Sequence, residues 1–300
     1  MNNSPVIYAI VVTYNGAKWV DKCFGSLLNS NIPIKVLAID NASTDNTVEL
    51  IKRKYTDVEI LENRTNLGFG KANNIGLARV LNENVEYAFL LNQDAWIASD
   101  TIQKLIKVHL LHSELGILSP VPYDGEGLNL DRQFNLYYKE PHDLSKIDLN
   151  DKKLTPYKVP FINAACWLVP LNTIKKVGFF SSLFFQRGED KDYTQRCEFH
   201  NVKVAFISGC NYYHDRTHVW EQSYPKNKLL KSVKARIVVL LNNINNPPYK
   251  RLLEIGIFLR TLVINKKISR FQAFWFIVLY CIKAFHIISY SKKYKIEYFK

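Results

Sequence analysis

Through the first ninety residues, short apolar runs alternate with stretches whose apolar positions recur at helical spacing. Residues 6–12 form one such run, and residues 17–28 place Trp19, Val20, Cys23, Phe24 and Leu27 at the spacing of a helix face. Residues 35–39 are a second run, followed by a predicted helix over 44–54 with Ser43 or Thr44 as its cap. A strand over 58–61, a helix over 71–81 and a strand over 87–91 complete the series. This alternation predicts βαβ units, hence an α/β fold with a mostly parallel sheet flanked by helices. Run 6–12 has no basic segment before it and no small-residue cleavage pattern after it, so it reads as a buried strand and not a secretory signal.

Polar residues gather where these strands end: Thr13-Tyr14-Asn15 after the first, Asp40-Asn41 after the second, Asn92-Gln93-Asp94 after the fourth. Ligands of open α/β sheets sit outside the carboxyl ends of the strands. One such cluster is ordinary turn chemistry; three at one sheet edge predict a site. Residues 120–160 read as a long irregular excursion with a strand near Arg132–Tyr138. Past an apolar run at 161–168 come a short helix, a helix over 189–197, a strand over 202–207 and a loop carrying Tyr212 to Arg216. From Lys226 the pattern is helical to the end.

Charge divides the chain at the same place. Residues 226–300 hold sixteen Lys and Arg against two acids, a net +14 of the chain's +13, so residues 1–225 are nearly neutral. The reading is a neutral catalytic-sized unit, 1–225, with a basic helical C-terminal region, 226–300, that has an anionic partner. Residues 271–282 are strongly apolar but are interrupted by Lys283 and His286 before a spanning length is reached. Flanked by Lys266, Lys267, Arg270, Lys292, Lys293 and Lys295, the segment fits either a helix lying in a membrane interface or a packed subdomain with a solvated basic face. Five widely spaced cysteines with no CxxC pair signal neither a zinc site nor a disulfide framework, and point to a cytosolic compartment.

Few single motifs are decisive. Asp94, two residues after Asn92, suits a hard divalent cation or a turn. Glu189, Asp190 and Asp192 cannot share one helix face; they suit a general base with a raised pKa or an acidic helix start. His214 and His218 are four apart, but their setting argues against a helical metal pair. Asn66-Leu67-Gly68-Phe69-Gly70-Lys71 leads into a helix without forming a dinucleotide fingerprint, and no P-loop or nucleophile elbow occurs.

In order, however, Val11-Val12-Thr13-Tyr14-Asn15, Ile39-Asp40-Asn41-Ala42-Ser43-Thr44-Asp45, Asn66 to Asn74, Leu90-Leu91-Asn92-Gln93-Asp94, Val177-Gly178-Phe179-Phe180, Phe184 to Asp190 and Tyr213-His214-Asp215 resemble family 2 glycosyltransferases of the GT-A fold, especially the bacterial rhamnosyltransferase-like ones. The resemblance spans about residues 6–216. It implies that Thr13, Asn15 and Asp40 contact the nucleotide and that Asn66, Gly68 and Lys71 form a second wall. It implies that Asn92-Gln93-Asp94 stands for a D-x-D element, so Asp94 carries most of the Mg²⁺ or Mn²⁺ binding, with His214 as a distant metal ligand. Asp190, beside Glu189 at the donor sugar, resembles the catalytic base. Trp167 is a candidate sugar-stacking surface or a core residue. The implied enzyme inverts the anomeric centre of a nucleoside diphosphate sugar, dTDP-rhamnose or a UDP-sugar. Its implied acceptor is a glycan of cell-surface polysaccharide synthesis, which the basic tail refines to a lipid-pyrophosphate-linked glycan at the cytoplasmic leaflet of the membrane. Donor, linkage and oligomeric state stay open. The other readings are a nucleic-acid-binding protein, which lacks a recognisable motif and is not expected, and a sugar-nucleotide nucleotidyltransferase, whose phosphate loop is missing.

Overall fold

Every other residue of Ile7–Thr13 (β1) faces a different layer, and both layers are apolar, so this strand must lie at the centre of a covered sheet. The computed structural model describes residues 5–83, 85–138, 149, 153–216 and 226–292. Lys35–Asp40 (β2) and Tyr87–Asn92 (β4) flank β1 in parallel, and Val58–Glu62 (β3) lies outside β2. Ile7, Ala9 and Val11 pack with Val20–Leu28 (α1, entered through a 3-10 turn at Ala17–Trp19) and Thr47–Lys54 (α2). Tyr8 and Ile10 pack with Phe69–Asn82 (α3) on the other face. The predicted βαβ half is therefore present, and each side of the sheet is closed by the helix periodicity that the sequence displays.

The second half is mixed. Ala95–Ile97 (β5), Thr101–Leu111 (α4), Leu115–Asp124 (β6), Arg132–Tyr138 (α5), Pro156–Lys158 (β7), Cys166–Pro170 (β8), Leu171–Val177 (α6), Glu189–Phe199 (α7) and Lys203–His214 (β9) follow in chain order. The sheet runs β3-β2-β1-β4-β8-β6-β9-β5, with β7 also on β9. β8 is antiparallel to β4 and β6, β5 and β7 are antiparallel to β9, and only β6–β9 is parallel here.

Three local expectations change. Residues 132–138 are helical, not extended: Asp131 Oδ1 accepts the N–H groups of Gln133 (2.8 Å) and Phe134 (3.1 Å), which is an N-cap. Phe134 and Tyr138, one turn apart, then pack on Phe206. The last strand does not stop at 207. Gly209, at φ +71, sits where the β6–β9 register slips between Pro120 and Val121, and the strand resumes through His214. Finally, α2 begins at Thr47, held by Asp45, while Ser43 is occupied by Asn15 and Asp40.

Lys226–Asn242 (α8), Pro248–Ile264 (α9) and Arg270–Lys292 (α10) form a helical unit with its own core, including Val233, Ile237, Leu241, Leu259 and Phe276. It is fastened to α7 by polar contacts: Asn242 donates to Asp192, and Asn245 donates to the Gln195 carbonyl at 2.8 Å.

Candidate active site

The carboxyl ends of β2, β1 and β4 stand side by side because Thr13 pairs with Asp40 and Val12 with Asn92. Much of the polar chemistry at this edge holds loops in place. Thr13 Oγ1 donates to Asp40 Oδ1 at 2.8 Å, and the Ser43 N–H and hydroxyl donate to the same carboxylate. Asn15, in the left-handed region at φ +47, accepts the Thr44 N–H at 2.8 Å. Gln93 both accepts from and donates to the Tyr14 backbone. On the adjacent loop, Asn66 Oδ1 accepts the Gly68 N–H at 2.8 Å, and Lys71 is exposed in the first turn of α3. Gly68 has φ +81 and lies against the loop before α7; a Cβ there would drive into the Phe185 carbonyl oxygen.

Asn15, Asn66 and Lys71 stand along this rim, while Thr13 and Asp40 are buried beneath it and Gly68 is packed against the loop before α7. Asn92, Asp94, Glu189, Asp190 and His214 line an adjoining cavity of about 910 Å³, to which Phe69 connects the rim. β4 ends at Asn92, β5 is antiparallel to β9, and Ala95 opposes His214. That pairing sets Asp94 Oδ1 3.1 Å from His214 Nε2, although 120 residues separate them. The imidazole is 3 % exposed and Asp94 is 25 % exposed at its side chain, so the carboxylate faces the cavity and the ring backs it. His214 is on a strand, which rules out a helical pairing with His218; His218 itself lies outside the described residues.

Arg216 Nε donates to His214 Nδ1 at 3.1 Å and sits 3.2 Å from Asp131 Oδ2. A guanidinium keeps its protons, so in the neutral ring Nδ1 is the acceptor and Nε2–H points to Asp94. A cation at Nε2 needs that lone pair, and Arg216 has Asp131 within reach when it releases Nδ1. Asn92 Oδ1 is a buried acceptor with no hydrogen-bond partner. A carboxylate, an unpartnered amide oxygen and an imidazole fit Mg²⁺ or Mn²⁺ that takes its remaining ligands from diphosphate oxygens. Among the described residues no group of three or more His, Cys, Asp and Glu is gathered as a self-sufficient metal cage.

The cavity's other carboxylates open α7. Gly188, at φ +96, turns the chain into the helix, and Glu189 and Asp190 line the cavity. Glu189 Oε2 is buried without a partner; burial first, then the charge of Asp190, pushes its pKa up to about 8. Asp190 Oδ1 accepts the Lys191 N–H at 2.7 Å, yet burial still raises its pKa above the usual carboxylate range. Asp192 faces away into the core, where Arg196 and Asn242 hold it. The predicted division of the three acids between faces is what the helix shows.

Trp167 needs correction: it is fully buried and no sugar reaches it. β8 is an inner strand, so its alternate residues point into the layer under α6 and α7; Trp167 stacks there on Phe180 and packs at a tilt against Tyr193. It supports α7 from beneath. Several cavity residues have no local sequence signal, among them Phe161, Ala164, Arg216 and, from α8, Arg236. The spacing of Ser232, Ala235, Arg236 and Val239 on one face of α8 is visible in the sequence, but what that face covers is not.

The model for "Glycosyl transferase family 2" matches residues 8–178, more than half of the chain. An "N-acetylglucosaminyl-diphospho-decaprenol L-rhamnosyltransferase" of Mycobacterium tuberculosis is 24% identical over 237 residues, covering 71% of this chain and 77% of the relative. Among solved structures, the Pyrobaculum calidifontis mannosyltransferase PcManGT, in complex with GDP-Man and Mn²⁺, superposes with a TM-score of 0.61 at 15% identity, covering 97% of this chain and 89% of its own. Staphylococcus aureus TarS 1-349 with UDP-GlcNAc gives 0.60 at 16% identity, covering 96% and 88%. These likenesses establish the GT-A architecture.

Proposed function

Since this chain belongs to glycosyl transferase family 2, we propose that it transfers a sugar from a nucleoside diphosphate donor, dTDP-rhamnose or a UDP-sugar, to a hydroxyl of a lipid-linked glycan. The observation that supports this most is the meeting of two carboxylate groups with different tasks in one cavity: Asp94 backed by His214, and Asp190 beside Glu189. The rim of Asn15, Asn66 and Lys71, with Thr13, Asp40 and Gly68 behind it, holds the nucleoside, its loops prearranged by their own hydrogen bonds.

Asp190 takes the proton of the acceptor hydroxyl as its oxygen bonds to the anomeric carbon. The bond from that carbon to the diphosphate oxygen breaks in the same step, the nucleoside diphosphate departs, and the anomeric centre inverts. Glu189, whose pKa burial pushes up to about 8 and whose Oε2 has no partner in the protein, offers a hydrogen bond to the bound sugar. A divalent cation held by Asp94 and His214, with Asn92, supplies Lewis-acid neutralisation of the diphosphate when bound. Calorimetry with UDP, dTDP and GDP, with and without Mn²⁺, tests the site. One nucleotide is expected to bind with Mn²⁺ and to weaken at least tenfold, about 1.4 kcal/mol, in Asp94→Ala. Binding of none of them overturns the reading.

The enzyme works, in this proposal, at the inner face of the cytoplasmic membrane. Ile257, Ile264, Phe271, Phe274 and Trp275 are exposed on α9 and α10, next to Lys266, Lys267 and Arg270. No helix among the described residues is long and apolar enough to cross a membrane. Exposed aromatics beside cations suit attachment to an anionic lipid surface. The protein is expected to sediment with phosphatidylglycerol vesicles at low salt, with Phe271→Glu and Trp275→Glu weakening the association. Equal affinity for phosphatidylcholine vesicles, or none for either, removes the membrane part.

A further inference from the structure

We propose that the cavity wall formed by α7 and α8 is an anion site for a phosphate or diphosphate group on the acceptor, built from Arg187, Lys191 and Arg236. The inference rests on the transferase reading and assigns its acceptor end. All three cations line the same cavity as Asp190, and Arg236 arrives from the C-terminal helical region. The basic helices thereby become part of the active site.

The wall is built and not merely charged. Arg187 Nη1 donates to Ser232 Oγ at 2.6 Å, which fixes the start of α7 against α8. Lys191 Nζ lies 4.8 Å from the centre of the Phe161 ring. Neither Lys191 nor Arg236 makes an ion pair among the described residues, although Asp190 and Glu198 are near enough to favour the charged lysine. Burial and then the Arg236 guanidinium hold the Lys191 ammonium below its ordinary range. A cation that is partly desolvated and repelled by its neighbour is relieved by an anion placed between them. Asp94 with Asn92 and His214 is set up for a cation, and Arg187, Lys191 and Arg236, in the same cavity, for an anion. A diphosphate linked to the sugar whose hydroxyl approaches Asp190 meets that second wall, because Lys191 directly follows the base.

Farnesyl diphosphate, farnesol and inorganic pyrophosphate serve as probes in calorimetry, with the bound nucleotide and Mn²⁺ held at saturation. Farnesyl diphosphate is expected to bind, and to bind at least tenfold more weakly to Arg236→Gln and Lys191→Gln. Lys234→Gln, exposed on α8 outside the cavity lining, is expected to leave binding unchanged. Farnesol binding as tightly as farnesyl diphosphate overturns the proposal. So does an equal loss in Lys234→Gln, which makes the effect bulk charge, or displacement of the nucleotide by farnesyl diphosphate, which puts the anion at the donor end. Inorganic pyrophosphate binding equally well with the same dependence on Arg236 supports the anion site with a free phosphate source; tighter farnesyl diphosphate identifies a lipid-linked one. Nucleotide binding is read in the same samples: its absence fails the transferase reading, whereas nucleotide binding with no effect of Arg236→Gln fails the anion site alone.

Discussion

Asp190→Asn is expected to lower kcat by about 10²–10⁴-fold while nucleotide affinity stays at the wild-type value. The substitution keeps the shape of the side chain and its hydrogen bond from the Lys191 N–H, and removes only the ability to hold a proton taken from the acceptor. A base acts in its ionised form, and burial raises the pKa of Asp190 while its neighbour Glu189 stands at about 8. The rate therefore falls as pH drops through a value above the ordinary carboxylate range. A wild-type profile of kcat/KM with its acid limb near that ordinary range, or an Asp190→Asn enzyme of undiminished kcat, removes Asp190 from the role. The nucleotide-binding control separates lost chemistry from lost folding.

Asp192→Ala, at the junction between α7 and α8, is expected to cost about 3–5 kcal/mol of folding stability. Asp192 and Arg196 are each 1 % exposed at the side chain, with Nε 3.1 Å from Oδ2, and Asn242 donates to the remaining oxygen. Arg196 also donates to the carbonyls of Val177 (2.7 Å) and Phe179 (2.8 Å), so it closes the end of α6. Removing the carboxylate leaves a buried guanidinium without its counter-charge. Burial outweighs both partners and raises the Asp192 pKa, and replacing a buried ion pair by apolar groups of similar volume is often neutral or stabilising. Asp192→Leu combined with Arg196→Met is accordingly expected to be much less destabilised than Asp192→Ala. Urea unfolding of the three proteins decides it, and a double variant worse than the single one contradicts this account.

Local periodicity determined the parallel half of the sheet, with its helices, because each strand and helix there carries its own apolar face within one short segment. It also determined that Thr13, Asp40 and Asn92 gather at one edge, since parallel strands with right-handed crossovers put all their carboxyl ends together. The seven ordered motifs carried the family. Locally balanced segments were misread: 132–138 is aromatic enough for a strand, and its helix follows from the Asp131 cap and from packing on Phe206, seventy residues on. The resemblance already joined Asp94 and His214 as metal ligands, but only the tertiary structure shows how they meet, because an antiparallel β5–β9 pairing has no local signature. The resemblance named Asp190, and burial gives the reason: of two acids on one helix, it is turned to the cavity and Asp192 to a buried arginine. The same holds for Trp167, an aromatic suited to a sugar until β8 places it under α7, and for Arg236, a tail cation until α8 closes over the cavity. Such roles depend on which side of an element is covered, and that is fixed by contacts between segments far apart in the chain.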